Sequence, residues 1–289
     1  MAYPTRGRAR GNAHQDTVPI SGVRATGAAR GRQTWLERAA EGALGYPLFV
    51  GVVHFLIVQV AATLAFKFGT PYATSAPYNQ GCDTAAAAAN AACKLEAPIS
   101  GFMNSIVSPM RLWDGLWYKL IAEQGYGFGS ANAAFWPLFP WLMRWGNKIT
   151  GLPTDVVGYL IANISFIVAL VLLYRLIRID FDQAVARRTL WAIALFPTAL
   201  FFSAVYTESL FLMLAVGALL AARVGNWWMA GIVGALAALT RSYGVLLLIP
   251  FAVLFLQQYK FHIPRWFPNA IPAALPVLGP LIFGWHLDR

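Results

Sequence analysis

Residues 134–148 read AFWPLFPWLMRWGNK, and whether this stretch crosses a bilayer or lies on its surface decides the arrangement of everything after it. As a helix these fifteen residues rise only about 22 Å, short of a hydrocarbon core of roughly 30 Å. Pro137 and Pro140 interrupt them, and Trp136, Trp141 and Trp145 suit the headgroup zone. A crossing here would also flip every later loop and put Arg175, Arg178, Arg187 and Arg188 outside, against the rule that basic loops face the cytoplasm. If the stretch lies flat, that run falls inside, together with Arg223, Lys260 and Arg265. The segment is therefore expected to be an interfacial amphipathic helix.

Composition gives the setting. Hydrophobic residues make up 58% of the 289 and charged residues 12%, with a mean hydropathy of +0.55, too little polar surface to coat a soluble globule of this size. The net charge of +10 is uneven. Before residue 46, Arg6, Arg8, Arg10, Arg24, Arg30, Arg32 and Arg38 face only Asp16, Glu37 and Glu41, which points the N-terminus to the cytoplasm. This tail, residues 1–45, lacks the aromatic interleaving of a nucleic-acid arm and reads as largely disordered chain against anionic lipid headgroups. No apolar core suits a cleaved signal peptide within the first 30 residues.

Residues 46–66 are almost continuously apolar and long enough to span from inside to outside. Further spans are expected at 155–178, 189–206, 208–223, 227–240, 243–259 and 269–286, several broken by prolines. The expected fold is all-α: a polytopic membrane domain over 46–289 with about seven transmembrane helices, whose first extracytoplasmic loop, 67–154, carries interfacial helices. A plasma membrane or an endoplasmic reticulum satisfies this topology equally. Cys82 and Cys93 lie in that loop. Outside the cytoplasm a disulfide between them is the expectation, against a loop with two free thiols.

The topology gathers three polar clusters on the outer side: the segment around Asp114, the run Tyr206-Thr207-Glu208-Ser209, and the run Thr240-Arg241-Ser242-Tyr243-Gly244. The first reads Arg111-Leu112-Trp113-Asp114-Gly115-Leu116-Trp117-Tyr118-Lys119. A carboxylate between two tryptophans and two cations at a membrane surface needs water, a partner or a substrate to keep its charge. A continuous interfacial helix from Ser108 to Tyr126 would put Arg111, Asp114, Tyr118 and Ile121 on one face and turn Lys119 away. Asp114 is then either the partner of a surface ion pair with Arg111 or a catalytic carboxylate.

Glu208 divides similarly between capping the helix that follows and binding a sugar hydroxyl, a metal or Arg241. Arg241 either snorkels to headgroups or offers its planar fork to a phosphate. His54 reads as a hydrogen-bonded packing residue. His262 and His286 have no ligand partner at zinc spacing, and no Gly-rich phosphate loop occurs. One aspartate and one glutamate do not by themselves define a divalent-ion site.

Four stretches in order, WDGLWYKLIAEQGY (113–126), AFWPLFPWLMR (134–144), ALFPTALFFSAVYTESLF (194–211) and GALAALTRSYG (234–244), resemble the PIG-V type of mannosyltransferase, membrane glycosyltransferases of the GT-C fold. The resemblance covers roughly 46–260. It implies a polyprenyl-phosphate mannose donor, a large first outer loop with two interfacial helices, Asp114 as the catalytic carboxylate, and Glu208 and Arg241 as active-site residues. Members usually continue past this length with more spans, which implies a fragment or a short homologue.

The mechanism this suggests has Asp114 as general base in an inverting transfer to a hydroxyl of a glycolipid, glycan or protein side chain. Arg241 steadies the leaving phosphate, with Arg111 and Lys119 as helpers, while Trp113, Trp117, Tyr118, Tyr206 and Glu208 bind substrate. Two readings compete: a transporter or flippase for a lipid-linked sugar, and an inactive partner subunit of a membrane complex.

Overall fold

The computed structural model describes residues 44–68, 101–126, 133–260 and 263–287, and among them every regular element is helical. The basic tail through residue 43, and Cys82 and Cys93 with their expected disulfide, lie outside the described residues. α1 (Gly45–Phe68) is followed by α2 (Gly101–Val107), a 3₁₀ turn at Ser108–Met110, α3 (Asp114–Gln124) and α4 (Leu138–Thr150). α5 (Thr154–Asp180), α6 (Gln183–Ala194), a 3₁₀ turn at Ala199–Phe202, α7 (Glu208–Arg223) and α8 (Trp227–Thr240) come next. The chain closes with a 3₁₀ segment at Ser242–Leu247, α9 (Leu248–Tyr259), α10 (Ile263–Ala274), a turn at Leu275–Val277 and α11 (Leu278–Leu287).

Four stretches among the described residues are long and apolar enough to cross a membrane: Gly45–Phe68, Thr154–Asp180, Ser242–Tyr259 and Pro268–Leu287, with Trp227–Thr240 shorter. Their outward residues are mostly apolar. On α1, Phe49, Val52, Leu56, Ile57, Val60 and Leu64 are all exposed while Val50 and His54 are buried. That pattern suits lipid on one side and protein on the other. α4 has 13 residues, about 20 Å, and does not reach across. It keeps the amphipathic character read from 134–148, with Trp145 and Ile149 exposed and Phe139 and Met143 fully buried.

The expected span at 189–206 is corrected. α6 stops at Ala194, three residues before Pro197, which has no N–H with which to continue a helix. Residues 195–207 instead form turns, and Ser203 to Thr207 run buried through the protein. His54 anchors this passage from α1. Its Nδ1 lies 2.8 Å from the Ala194 carbonyl and its Nε2 3.2 Å from the Ser203 hydroxyl. A carbonyl only accepts, so Nδ1 carries the proton and Nε2 accepts from serine. Gln59, one turn further along α1, donates to the Ile106 carbonyl at 3.0 Å and accepts from the Tyr159 phenol at 2.7 Å. These bonds satisfy polar groups that lipid would penalise.

α5 is the central helix, packed against α7, and α7 in turn against α8. The C-terminal helices dock on α8 through its small residues. A β-carbon on Gly231 would collide with the Pro272 backbone carbonyl, and one on Gly279 would collide with Ala238. Gly231→Ala is therefore expected to cost about 1–3 kcal/mol, the usual penalty of overpacking, read as a lower thermal midpoint in detergent. An unchanged midpoint would mean that the C-terminal helices do not seat on α8 this closely.

Candidate active site

The site forms where the turn before α3 meets the turn before α7. The Val205 amide donates to the Met110 carbonyl at 2.8 Å, and the Asp114 amide donates to the Tyr206 phenol oxygen at 3.0 Å. The same phenol donates to the Leu112 carbonyl at 3.3 Å. Pinned from both sides, Trp113 takes φ 53° and ψ −120°, a region that bulky side chains avoid. Gly115 lets the segments come this close, since a β-carbon there would lie 3.3 Å from the Val205 carbonyl oxygen.

The continuous helix expected from Ser108 to Tyr126 is thus corrected. It breaks at Arg111–Trp113, and Asp114 opens α3 at its first turn. The expected shared face of Arg111 and Asp114 disappears with it. Sequence periodicity does not register hydrogen bonds from a segment some 90 residues away, and those bonds set this turn.

Arg241 approaches from the end of α8. Its Nη1 lies 2.5 Å from Glu208 Oε1 and 3.3 Å from Thr207 Oγ1. The Tyr118 phenol, buried on α3, sits 3.3 Å from the same Thr207 hydroxyl. Tyr118 and Tyr206 pack edge to face with ring centres 6.4 Å apart. Burial is the main cause that pushes the Tyr118 phenol up to about 12, so at neutral pH it is a hydrogen-bonding group and not a base. Asp114 is exposed. Partial burial of its carboxyl nevertheless raises its pKa above the ordinary value, with the Arg241 charge pulling the other way. Glu208 Oε2 is buried and accepts no hydrogen bond from the described residues.

Asp114, Tyr118, Tyr206, Glu208 and Arg241, read from three separate stretches, therefore meet. Trp113 packs near Phe201, with ring centres 6.5 Å apart, and Trp117 stacks on Phe135 at 5.6 Å. Arg111 and Lys119 are engaged elsewhere. Arg111 Nη1 lies 2.6 Å from Asp155 Oδ2, and Lys119 Nζ lies 3.5 Å from the same oxygen and 3.7 Å from Glu123 Oε1. Asp155 is wholly buried and the Lys119 side chain 3% exposed. The Thr154 hydroxyl donates to Glu123 at 2.5 Å and closes the network. These charges clamp α3 to the start of α5.

Sequence reasoning missed Asp155, Glu123 and Thr207. Asp155 looks like an ordinary first-turn acid of a long helix. Its signal was the excess of cations in Arg111–Lys119 over the one acid there, which leaves a charge needing a partner. Among the described residues no group of three or more His, Cys, Asp or Glu side chains could hold a metal ion.

A family model described as Mannosyltransferase (PIG-V) matches residues 48–263, a range that contains all four of the quoted stretches. Comparison with curated proteins and with solved structures gives no significant match. The match extends over most of the described helical domain, from α1 to the start of α10. The chain belongs to the PIG-V mannosyltransferase family and is an integral membrane glycosyltransferase that transfers mannosyl groups.

Proposed function

We propose that the protein moves a mannosyl residue from a polyprenyl-phosphate-mannose donor to a hydroxyl acceptor on the extracytoplasmic side, with inversion and with Asp114 as general base. The observation that carries this reading is the placement of one exposed carboxylate, with its pKa raised, within electrostatic reach of one guanidinium on a facing segment. The acceptor hydroxyl gives its proton to the Asp114 carboxylate as its oxygen bonds to the anomeric carbon. The bond from that carbon to the phosphate oxygen breaks, and its electron pair leaves on the lipid phosphate. A β-linked donor becomes an α-mannoside.

The leaving phosphate is anionic throughout, so this step needs a cation more than a strong acid. Arg241 supplies it, held by Glu208 and Thr207. Glu208 Oε2, free of protein donors among the described residues, suits a sugar hydroxyl. Trp113 and Trp117 place the donor's sugar and polyprenyl chain at the interface. Arg111 and Lys119 serve as framework for the helix that carries Asp114, because Asp155 and Glu123 together already neutralise them. The acceptor is a glycolipid, a glycan or a protein side chain.

Arg241→Lys keeps the charge but loses the planar fork. It is expected to lower kcat/KM for the donor by about 10- to 100-fold, the size of a lost hydrogen bond between charged groups. Donor-saturation kinetics check this. Unchanged kinetics would remove Arg241 from the phosphate site.

A further inference from the structure

At the opposite end of α3 from Asp114 the structure holds a cavity that the transfer chemistry does not use. It is a hollow open to the outside, of about 410 Å³, with Glu123, Gln124, Arg144, Asn147, Lys148 and Thr154 in its wall. Ten residues of helix separate it from Asp114, about 15 Å. Arg144, Asn147 and Lys148 are three and four residues apart and so share one face of α4.

The charge of this wall is unbalanced. Among the described residues neither Arg144 nor Lys148 has a carboxylate within ion-pair distance. The acid in the wall, Glu123, is already compensated by the Lys119 ammonium at 3.7 Å and the Thr154 hydroxyl at 2.5 Å. Among the described residues, two exposed cations therefore face the space without a carboxylate partner, Lys148 resting 5.0 Å from the Trp145 ring centre. Beside them Leu142, Trp145 and Ile149 are exposed, Ile149 by 80%. A helix that shows such residues on one side and cations on another rests at headgroup depth. The anion abundant at that depth is phosphate. The volume falls in the range of small-molecule sites and exceeds what a bare phosphate ion fills.

We propose that this cavity binds the phosphate of an anionic lipid headgroup, with Arg144 and Lys148 as its counter-ions, and that the bound lipid pins α4 and the end of α3 to the membrane surface. The site does not depend on the transfer chemistry.

The test uses the full chain in detergent micelles, titrated with phosphatidylglycerol or phosphatidylcholine, with bound lipid counted by native mass spectrometry. The wild type should retain phosphatidylglycerol in preference to phosphatidylcholine. R144Q/K148Q should weaken that retention by roughly 10- to 30-fold, the effect of two cations near an anionic lipid surface. R178Q/R188Q, a charge-matched change in the last turn of α5 and on α6, should leave it intact. Equal retention by wild type and R144Q/K148Q would overturn the site, and equal loss in R178Q/R188Q would reduce it to general electrostatics. Millimolar inorganic phosphate that displaces phosphatidylglycerol would support phosphate recognition. Phosphate binding without phosphatidylglycerol retention would overturn the lipid assignment.

Discussion

Asp114→Asn is expected to lower mannosyl transfer by about 10²- to 10⁴-fold, the usual contribution of a positioned general base. The amide keeps the size of the side chain, and the contact that fixes this turn uses the Asp114 backbone N–H, which the substitution leaves in place. The protein should therefore remain folded. Stability should even rise at neutral pH. The folded state raises the Asp114 pKa, so the native protein holds this proton more tightly than the unfolded chain does. Stability then falls as pH climbs from the unfolded to the folded pKa and stays lower above it; below both values the penalty vanishes. Asn has no such term, so the variant gains a small margin at neutral pH and none in acid, small because Asp114 remains exposed. Wild-type activity has the opposite slope. It should rise with pH through the folded pKa as the base form appears, with an acidic limb shifted upward from that of an ordinary aspartate. A thermal midpoint and a pH–rate profile measure the two effects. An acidic limb unchanged in Asp114→Asn would assign the titration to another group.

Asp155→Ala should be the most destabilising single change among the charged residues. Removing the buried carboxylate leaves Arg111 without its ion-pair partner and the buried Lys119 with Glu123 alone, one cation in surplus, and an uncompensated charge of this kind costs about 3–5 kcal/mol. Activity should fall as well, because the clamp joins α5 to the turn that presents Asp114. Adding Lys119→Met to Asp155→Ala should recover part of the loss by removing the surplus cation, leaving Arg111 and Glu123 balanced in charge. Thermal or chemical denaturation in detergent reads both. A loss below about 1 kcal/mol would place the network in water, where ion pairs contribute that little.

Much of this architecture is legible from the chain because lipid imposes simple rules. Short length and the prolines Pro137 and Pro140 set α4 apart from the spans, and apolar length marks α1 and α5 as helices long enough to cross. The meeting of Asp114, Glu208 and Arg241 follows from tracking loops from side to side, and the structure brings the three stretches into one site. What escapes is set by tertiary contact. Trp113 leaves the helix because Tyr206 and Val205 bond the segment around it, and no local pattern encodes that. Asp155 escapes because an acid in the first turn of a helix already has a local explanation. The buried passage at 203–207 was hidden within an apolar run long enough to pass for a span.

The most direct measurement is transfer of labelled mannose from β-linked polyprenyl-phosphate mannose to membrane acceptors, by wild type and Asp114→Asn at matched levels of folded protein, with the product anomer determined. The account predicts an α-linked product from the wild type and a loss of at least about 100-fold in the variant. Equal transfer by both proteins, or a β-linked product, would contradict it.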